Sequence, residues 1–325
     1  PSLSIKLGRQ ELSYDDERIF GSSNWDQQGR SHDLALIRYD GIVRVDVGAA
    51  FNQNERHLNG AYYNLNNYKM MQYVWLNTDL FDNTSLSLLF LNNGYQYDYK
   101  IHEDGQEHDA TKNVFNQTVG GRLVSTPDDF KFYVSGYYTM GKDMTDRELS
   151  AYYVGLGAEY NLSDVFDIGL GWEHLSGTEQ KDMLNNPDGY VNKSFNPFYG
   201  SSHKFNGFMD YFNASDNWAN SVGLNDMFIT MQFSRWNFEV NLTGHTFLTA
   251  TSVIKDGNPN ETMEPYLGTE LDLTLSYRLS KTSNVVLGYS QMFGSETLQA
   301  MKGGDRDAYN NWAYLMFTFK PVFLK

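Results

Sequence analysis

Charged side chains recur at every second position inside apolar runs of this chain, and that spacing sets the chemistry open to it. From 266 to 278 the sequence reads Tyr-Leu-Gly-Thr-Glu-Leu-Asp-Leu-Thr-Leu-Ser-Tyr-Arg. Glu270, Asp272 and Arg278 share a parity with Gly268, Thr274 and Ser276, while Leu267, Leu271, Leu273, Leu275 and Tyr277 hold the other. Successive side chains of a β-strand point to opposite faces, so one face here is apolar and the other charged. The same parity rule turns Lys6, Arg44, Asp46, Arg122 and Lys131 to the polar faces of early strands. It turns Glu159, Asp167, Glu173 and Glu239 to those of later ones. One wall leans basic and the other acidic. Across a watery lumen such walls create a field that orients polar solutes and filters ions. The plainer alternative is that the charges pair with their neighbours and only fill the lumen.

Bond-making chemistry has less support. A hydrolase needs a Ser–His pair oriented by a third polar group. Of the seven histidines, His57, His102, His108 and His203 fall in expected loops, with His32 and His174 at strand ends. Only His245 lies mid-strand, with inward parity beside Asn241 and Thr243; it reads as a pore-lining hydrogen-bonder. No Gly-x-Ser-x-Gly elbow, phosphate loop or His-Glu-x-x-His occurs. The chain has no cysteine, hence no disulfide framework and no thiolate site. The acidic cluster at 256–261 lacks the spacing of a calcium loop. The chain is therefore read as a non-enzyme, with no metal and no cofactor. A net charge of -15 argues against nucleic acid as a partner.

The elements that would position these charges are strands. Fourteen two-sided segments run over 2–12, 32–39, 42–52, 68–79, 86–95, 117–125, 130–140, 149–160, 165–174, 226–233, 238–249, 266–278, 284–293 and 310–320. Tight turns fall at 40–41, 82–84, 126–128, 161–164, 234–237 and 281–283. The intervening connections, at 53–66, 100–113, 175–225, 251–264 and 294–308, are longer, with 143–147 the exception. Short turns at one end and long loops at the other mark an outer-membrane barrel, which crosses the bilayer in segments of about ten residues of alternating hydrophobicity. A run of 18 apolar residues, the mark of a transmembrane helix, is absent. The fold class expected is all-β: a transmembrane, antiparallel, up-and-down β-barrel, one domain over 1–325, with a long extracellular loop at about 175–225 that holds a short helix in 204–212. Tyr39, Tyr160, Trp172, Trp236, Tyr277 and Trp312 near strand ends suit interfacial girdles.

The stretch 7–33, LGRQELSYDDERIFGSSNWDQQGRSHD, resembles the first recognisable block of the alginate-export family of outer-membrane barrels. The likeness is carried by Gly8-Arg9-Gln10-Glu11, Arg18, Gly21, Asn24-Trp25, Gly29-Arg30 and Asp33. The run 204–212, KFNGFMDYF, and the ending 314–321, YLMFTFKP, also resemble that family, and the whole resemblance has the flavour of its Bacteroidetes members. The resemblance implies a barrel of about eighteen strands, of which about four would precede this chain, whose start at Pro1 reads as processed or truncated. If Pro1 is the true start, fourteen strands would still close, since even counts do. The resemblance also implies an arginine track for an anionic polymer, for which Arg9, Arg18, Arg30, Arg44 and Arg122 are the candidates. Arg9 shares parity with Ile5 and Leu7, so facing inward would require a bulge or a place above the lipid. The acidic far wall departs from the family pattern.

These readings converge on a bacterial outer-membrane channel for passive diffusion of hydrophilic, anionic or sugar-derived solutes. Its expected partners are outer-membrane lipid and lipopolysaccharide, small hydrophilic or oligosaccharide solutes, and other outer-membrane proteins. The alternatives are a docking barrel within a larger complex, sealed by 175–225, and a barrel-embedded hydrolase.

Overall fold

The computed structural model describes residues 1–52, 67–103, 105–212 and 221–322. The expected loop at 53–66, and 213–220 within the long connection, lie outside the described residues. The strands are β1 (Ser2–Gln10), β2 (His32–Asp40), β3 (Val43–Phe51), β4 (Met70–Phe81), β5 (Thr84–Glu103), β6 (Gln106–Ser125), β7 (Phe130–Lys142), β8 (Glu148–Ser163), β9 (Phe166–Leu175), β10 (Leu224–Arg235) and β11 (Phe238–Thr249). A small hairpin, β12 (Ile254–Lys255) and β13 (Asn258–Thr262), interrupts the series before β14 (Tyr266–Arg278), β15 (Ser283–Gly294) and β16 (Asn310–Phe319). Apart from the hairpin, each strand pairs with the next in one 14-stranded sheet. This is the up-and-down, all-β antiparallel barrel wall that the alternation predicts.

Burial is inverted relative to a soluble sandwich. Leu315 is 74% exposed and Asp46 and Glu270 are 0% exposed. Apolar groups on the outer face and buried charges within are what a lipid-facing barrel requires. Glycines on the inner face make room for rings. A Cβ at Gly48 would strike the ring of Tyr73, and one at Gly288 the ring of Tyr314.

Four expectations change. The charged region 100–113 is not a loop: β5 and β6 stay paired out to Glu103 and Gln106. Tyr97, Tyr99 and Ile101 keep the alternation going, and Lys100 reaches Glu107 across the hairpin at 2.8 Å. Leu267 turns inward and is buried, because the β11–β14 register slips there: Phe247 opposes Gly268 while Leu248 opposes Tyr266. The helix expected in 204–212 is one 3₁₀ turn at Ser202–Lys204; the helices of the long-loop end are α1 (Gln180–Asn185) and α2 (Glu296–Lys302). Trp312 is no girdle residue, since its ring lies in the lumen against Trp25.

Six short connections gather at one end, at 41–42, 82–83, 126–129, 164–165, 236–237 and 279–282, while the β5–β6 hairpin and 143–147 turn at the other. From the other end, loop 11–31 and the described residues of the long connection, 176–212 and 221–223, fold back against inner-face residues of strands from β2 to β16. Among the described residues, β1 pairs only with β2 and β16 only with β15.

Candidate functional site

The two inward loops form a plug, and the charged wall residues hold it. Loop 11–31 is a compact knot, with left-handed backbone at Asp15, Glu17, Ser23 and Gln27. Its Tyr14 hydroxyl donates to Asp46 Oδ2 at 2.7 Å and its ring stacks on Trp75 at 4.7 Å. Trp75 donates to Asp15 at 3.2 Å. Burial raises the Asp15 carboxyl above the usual carboxylate range, against its bonds from Ser87 and Trp75. Arg122 pairs with Asp16 and donates to Ser135 at 2.7 Å. Arg18 pairs with Glu173, sits 3.6 Å over the Phe205 ring, and is buried. Burial is the largest single influence and works against its charge, but Glu173, Tyr153 and Asp16 together outweigh it and the guanidinium pKa rises.

The second loop is latched by carboxylates of β9, β10 and β14. Asn206 donates to Glu173 at 3.0 Å and to Asp226 at 3.2 Å. The backbone N–H of Phe208 donates to Asp272 at 3.3 Å, and that of Met209 to Glu270 at 2.8 Å. Gly207, between Asn206 and Phe208, has φ +87, and a Cβ there would lie 2.7 Å from the Glu270 carboxyl. Asp226 is shared with His245 Nδ1 at 2.9 Å, whose Nε2 is 3.7 Å from Asp272. The loops also bind each other. Gly21 N–H donates to Tyr199 O, Ser201 N–H to Glu17 O and Arg30 to Gly200 O, at 2.8, 3.0 and 2.8 Å. Trp25 stacks on His203 at 4.2 Å.

The residues singled out in the sequence thus fall into groups. Arg18, Glu173, Glu270 and Asp272 belong to the plug and its latch, and Arg30 ties the two loops. Arg44 lies 3.5 Å from Asp40 and 3.7 Å from Asp46, and Arg38 takes Asp46 with two bonds at 2.8 and 2.6 Å. Lys131 and Glu159 pair at 2.8 Å. Glu239 accepts from Asn241 at 2.7 Å. Asp167 and Arg278 face separate cavities. Arg9 is placed on the outer face: its neighbour Gln10 points in and is buried, while Arg9 pairs with Asp33 at 2.8 Å near the long-loop end.

Sequence reasoning missed Arg38, Asp226, Asn206 and the plug acids Asp15, Asp16 and Glu17. Arg38 was hidden because β2 is apolar on both faces: its inward Leu34 and Leu36 join a buried cluster with Phe20 of the plug. Asp226 had a signal, since it alternates with Met227, Ile229 and Met231 along β10.

On the short-turn side of the plug lie two cavities of about 570 and 760 Å³. Both reach Glu159, Lys204, Phe208, Thr230 and Thr243. A third, of about 670 Å³, opens at the short turns and is lined by Glu239, Arg278, Lys281 and Lys320.

No family model matches the chain, and no curated protein matches its sequence. Solved structures do. OccAB1 of Acinetobacter baumannii is 12% identical, with 97% of this chain and 73% of that one covered and a TM-score of 0.57. The outer membrane protein OprD from Pseudomonas aeruginosa is 11% identical, with 98% and 75% covered and a TM-score of 0.56. OccAB4 of Acinetobacter baumannii is 12% identical, with 90% and 67% covered and a TM-score of 0.53. At these identities the likeness is one of fold: the chain is an outer-membrane-type β-barrel.

Proposed function

We propose that the chain is a passive outer-membrane channel for small hydrophilic solutes of the sugar-derived or anionic class, and that it makes and breaks no bonds. The observation that carries this reading is the pair of cavities, lined by charged, amide and hydroxyl side chains as well as rings, that share five residues inside a wall with an apolar outer face. Solutes would cross where the plug leaves room, along Asp, Glu, Thr, Asn and Gln side chains. Support for anions comes from Arg278, Lys281 and Lys320 at the short-turn mouth. It does not come from an arginine track, because Arg18, Arg44 and Arg122 each face a carboxylate. The alginate-export assignment, with its Bacteroidetes flavour, rests on the motifs at 7–33, 204–212 and 314–321.

Single-channel recording of the purified barrel in a planar bilayer tests the proposal; discrete, ohmic openings are expected. A second reading, a docking barrel, is favoured by the two-loop plug. A bilayer that stays closed at every voltage and salt would select it and overturn the channel. Turnover of an ester or lipid would select an enzyme.

A further inference from the structure

One ladder row crosses six strands of the wall. Asp167 of β9 opposes Gln232 of β10, which opposes Asn241 of β11, which opposes Thr274 of β14. Thr274 opposes Gly288 of β15, and Gly288 opposes Tyr314 of β16. All six positions face the lumen. The row is therefore a belt of carboxylate, two amides and a hydroxyl that ends in an aromatic ring. Gly288 is what lets the Tyr314 ring lie across the belt, since a Cβ there would collide with it. Trp25 of the plug meets Tyr314 at 4.7 Å and 75°, so a second half-buried ring stands over the same end. The cavity of about 570 Å³ is bounded by this belt and these rings, a volume within the roughly 300–1,000 Å³ usual for small-ligand sites.

We infer that the belt is a binding site for neutral oligosaccharides. A sugar ring has a rim of hydroxyls, each both donor and acceptor, and faces of slightly positive C–H groups. The rim suits amides and a carboxylate, which offer paired donors and acceptors. The C–H faces suit the negative face of an aromatic ring. The belt's own bonds leave acceptors open: one N–H of Asn241 goes to Glu239 and one of Gln232 to Ser234, and among the described residues neither amide oxygen has a partner, so both can take hydroxyl protons. Among the described residues no partner within the protein bonds to the Asp167 carboxylate. Lys204 is the sole lysine or arginine among the described lining residues, and Glu17 faces it. Glu159 is matched by Lys131. The charge left over is that of Asp167, which repels uronates and accepts neutral sugars.

This site rests on the reading of the lumen as a water-filled passage, but binding and passage are measured separately. The test is calorimetric titration of the full chain, purified in detergent, with maltotriose and with a mannuronate trimer. Saturable maltotriose binding is expected, at least tenfold tighter than binding of the mannuronate trimer. Gln232→Ala with Asn241→Ala should weaken maltotriose at least tenfold. Asp167→Asn should narrow the preference for the neutral trimer by strengthening the mannuronate trimer severalfold. Heat-dependent gel mobility identifies variants that keep the folded barrel; Thr274→Val, which trades a hydroxyl for a methyl, gives a milder arm, with a severalfold loss expected. No saturable maltotriose binding, equal binding of the two trimers, or binding untouched by the double substitution would overturn the site. If binding holds while bilayers stay closed, the channel reading falls and the site stands. If bilayers conduct and maltotriose does not bind, the site alone falls.

Discussion

At the scale of single residues, five of the charges that parity assigns to pore walls, Asp46, Arg122, Glu173, Glu270 and Asp272, are held by the plug. Arg18 and Glu173 are a buried pair, and Asn206 bonds to both. Removing one member of a buried pair strands the other, at a cost of about 3–5 kcal/mol. Arg18→Met should therefore lower the unfolding free energy by that order in urea titrations, and it should enlarge single-channel conductance by freeing loop 11–31. A conductance equal to wild type would mean that the ion pair does not hold the loop. Gly207 offers a second entry to the latch. Its left-handed backbone and its contact with the Glu270 carboxyl leave no room for a side chain. Gly207→Ala should cost about 1–3 kcal/mol and release Phe208 and Met209 from Asp272 and Glu270. Faster amide hydrogen exchange at those two residues, with the strands unchanged, is the expected result. Parity reads which way Glu270 and Asp272 point; it cannot read that their partners are backbone N–H groups 61 and 64 residues earlier.

At the scale of elements, a strand was legible wherever its two faces meet different solvents. β3, β7, β9 and most of β14 follow the alternation residue by residue, because lipid selects one face and water or charge the other. β2 was placed but its inner face was not read, since Leu34 and Leu36 meet the plug and not water. Leu267 broke the rule through a bulge, and no local residue signals one there except Gly268 beside it, with φ +153. The plug loops were the least legible. Nothing in a Ser-, Asn- and Asp-rich segment says whether it lies outside the barrel or within. A direct measure of the wall assignment is lysine tolerance on β14. Leu273→Lys should destabilise the folded barrel by about 2–4 kcal/mol, as expected for a lysine facing mid-bilayer lipid. Thr274→Lys, facing the lumen, should cost far less. Equal penalties in urea-driven unfolding from lipid vesicles would reverse the two faces.

At the scale of the whole molecule, the sheet has a direction across the membrane and two edges within it. The edges are β1 and β16, whose outer faces expose Leu3, Ile5 and Leu7 on one side and Leu315, Phe317 and Phe319 on the other. Unpaired backbone groups in hydrocarbon cost several kcal/mol each, so in a membrane both edges need strand partners. The direction follows from connection length. Six short turns lie at the end opposite the plug loops, with the β5–β6 hairpin and the 143–147 connection the exceptions, and barrels of this class keep short turns in the periplasm and long loops outside. On that orientation the plug would enter from the outer side, and the basic mouth at Arg278, Lys281 and Lys320 would open inward. The chain has no cysteine, so single introduced thiols report this cleanly. Asn186→Cys, exposed just past α1, should react with an impermeant maleimide on intact cells. Thr282→Cys, in the β14–β15 turn, should react only after the outer membrane is opened. The reverse pattern would turn the barrel over and put the plug on the periplasmic side, where a solute leaving the cell would meet it first.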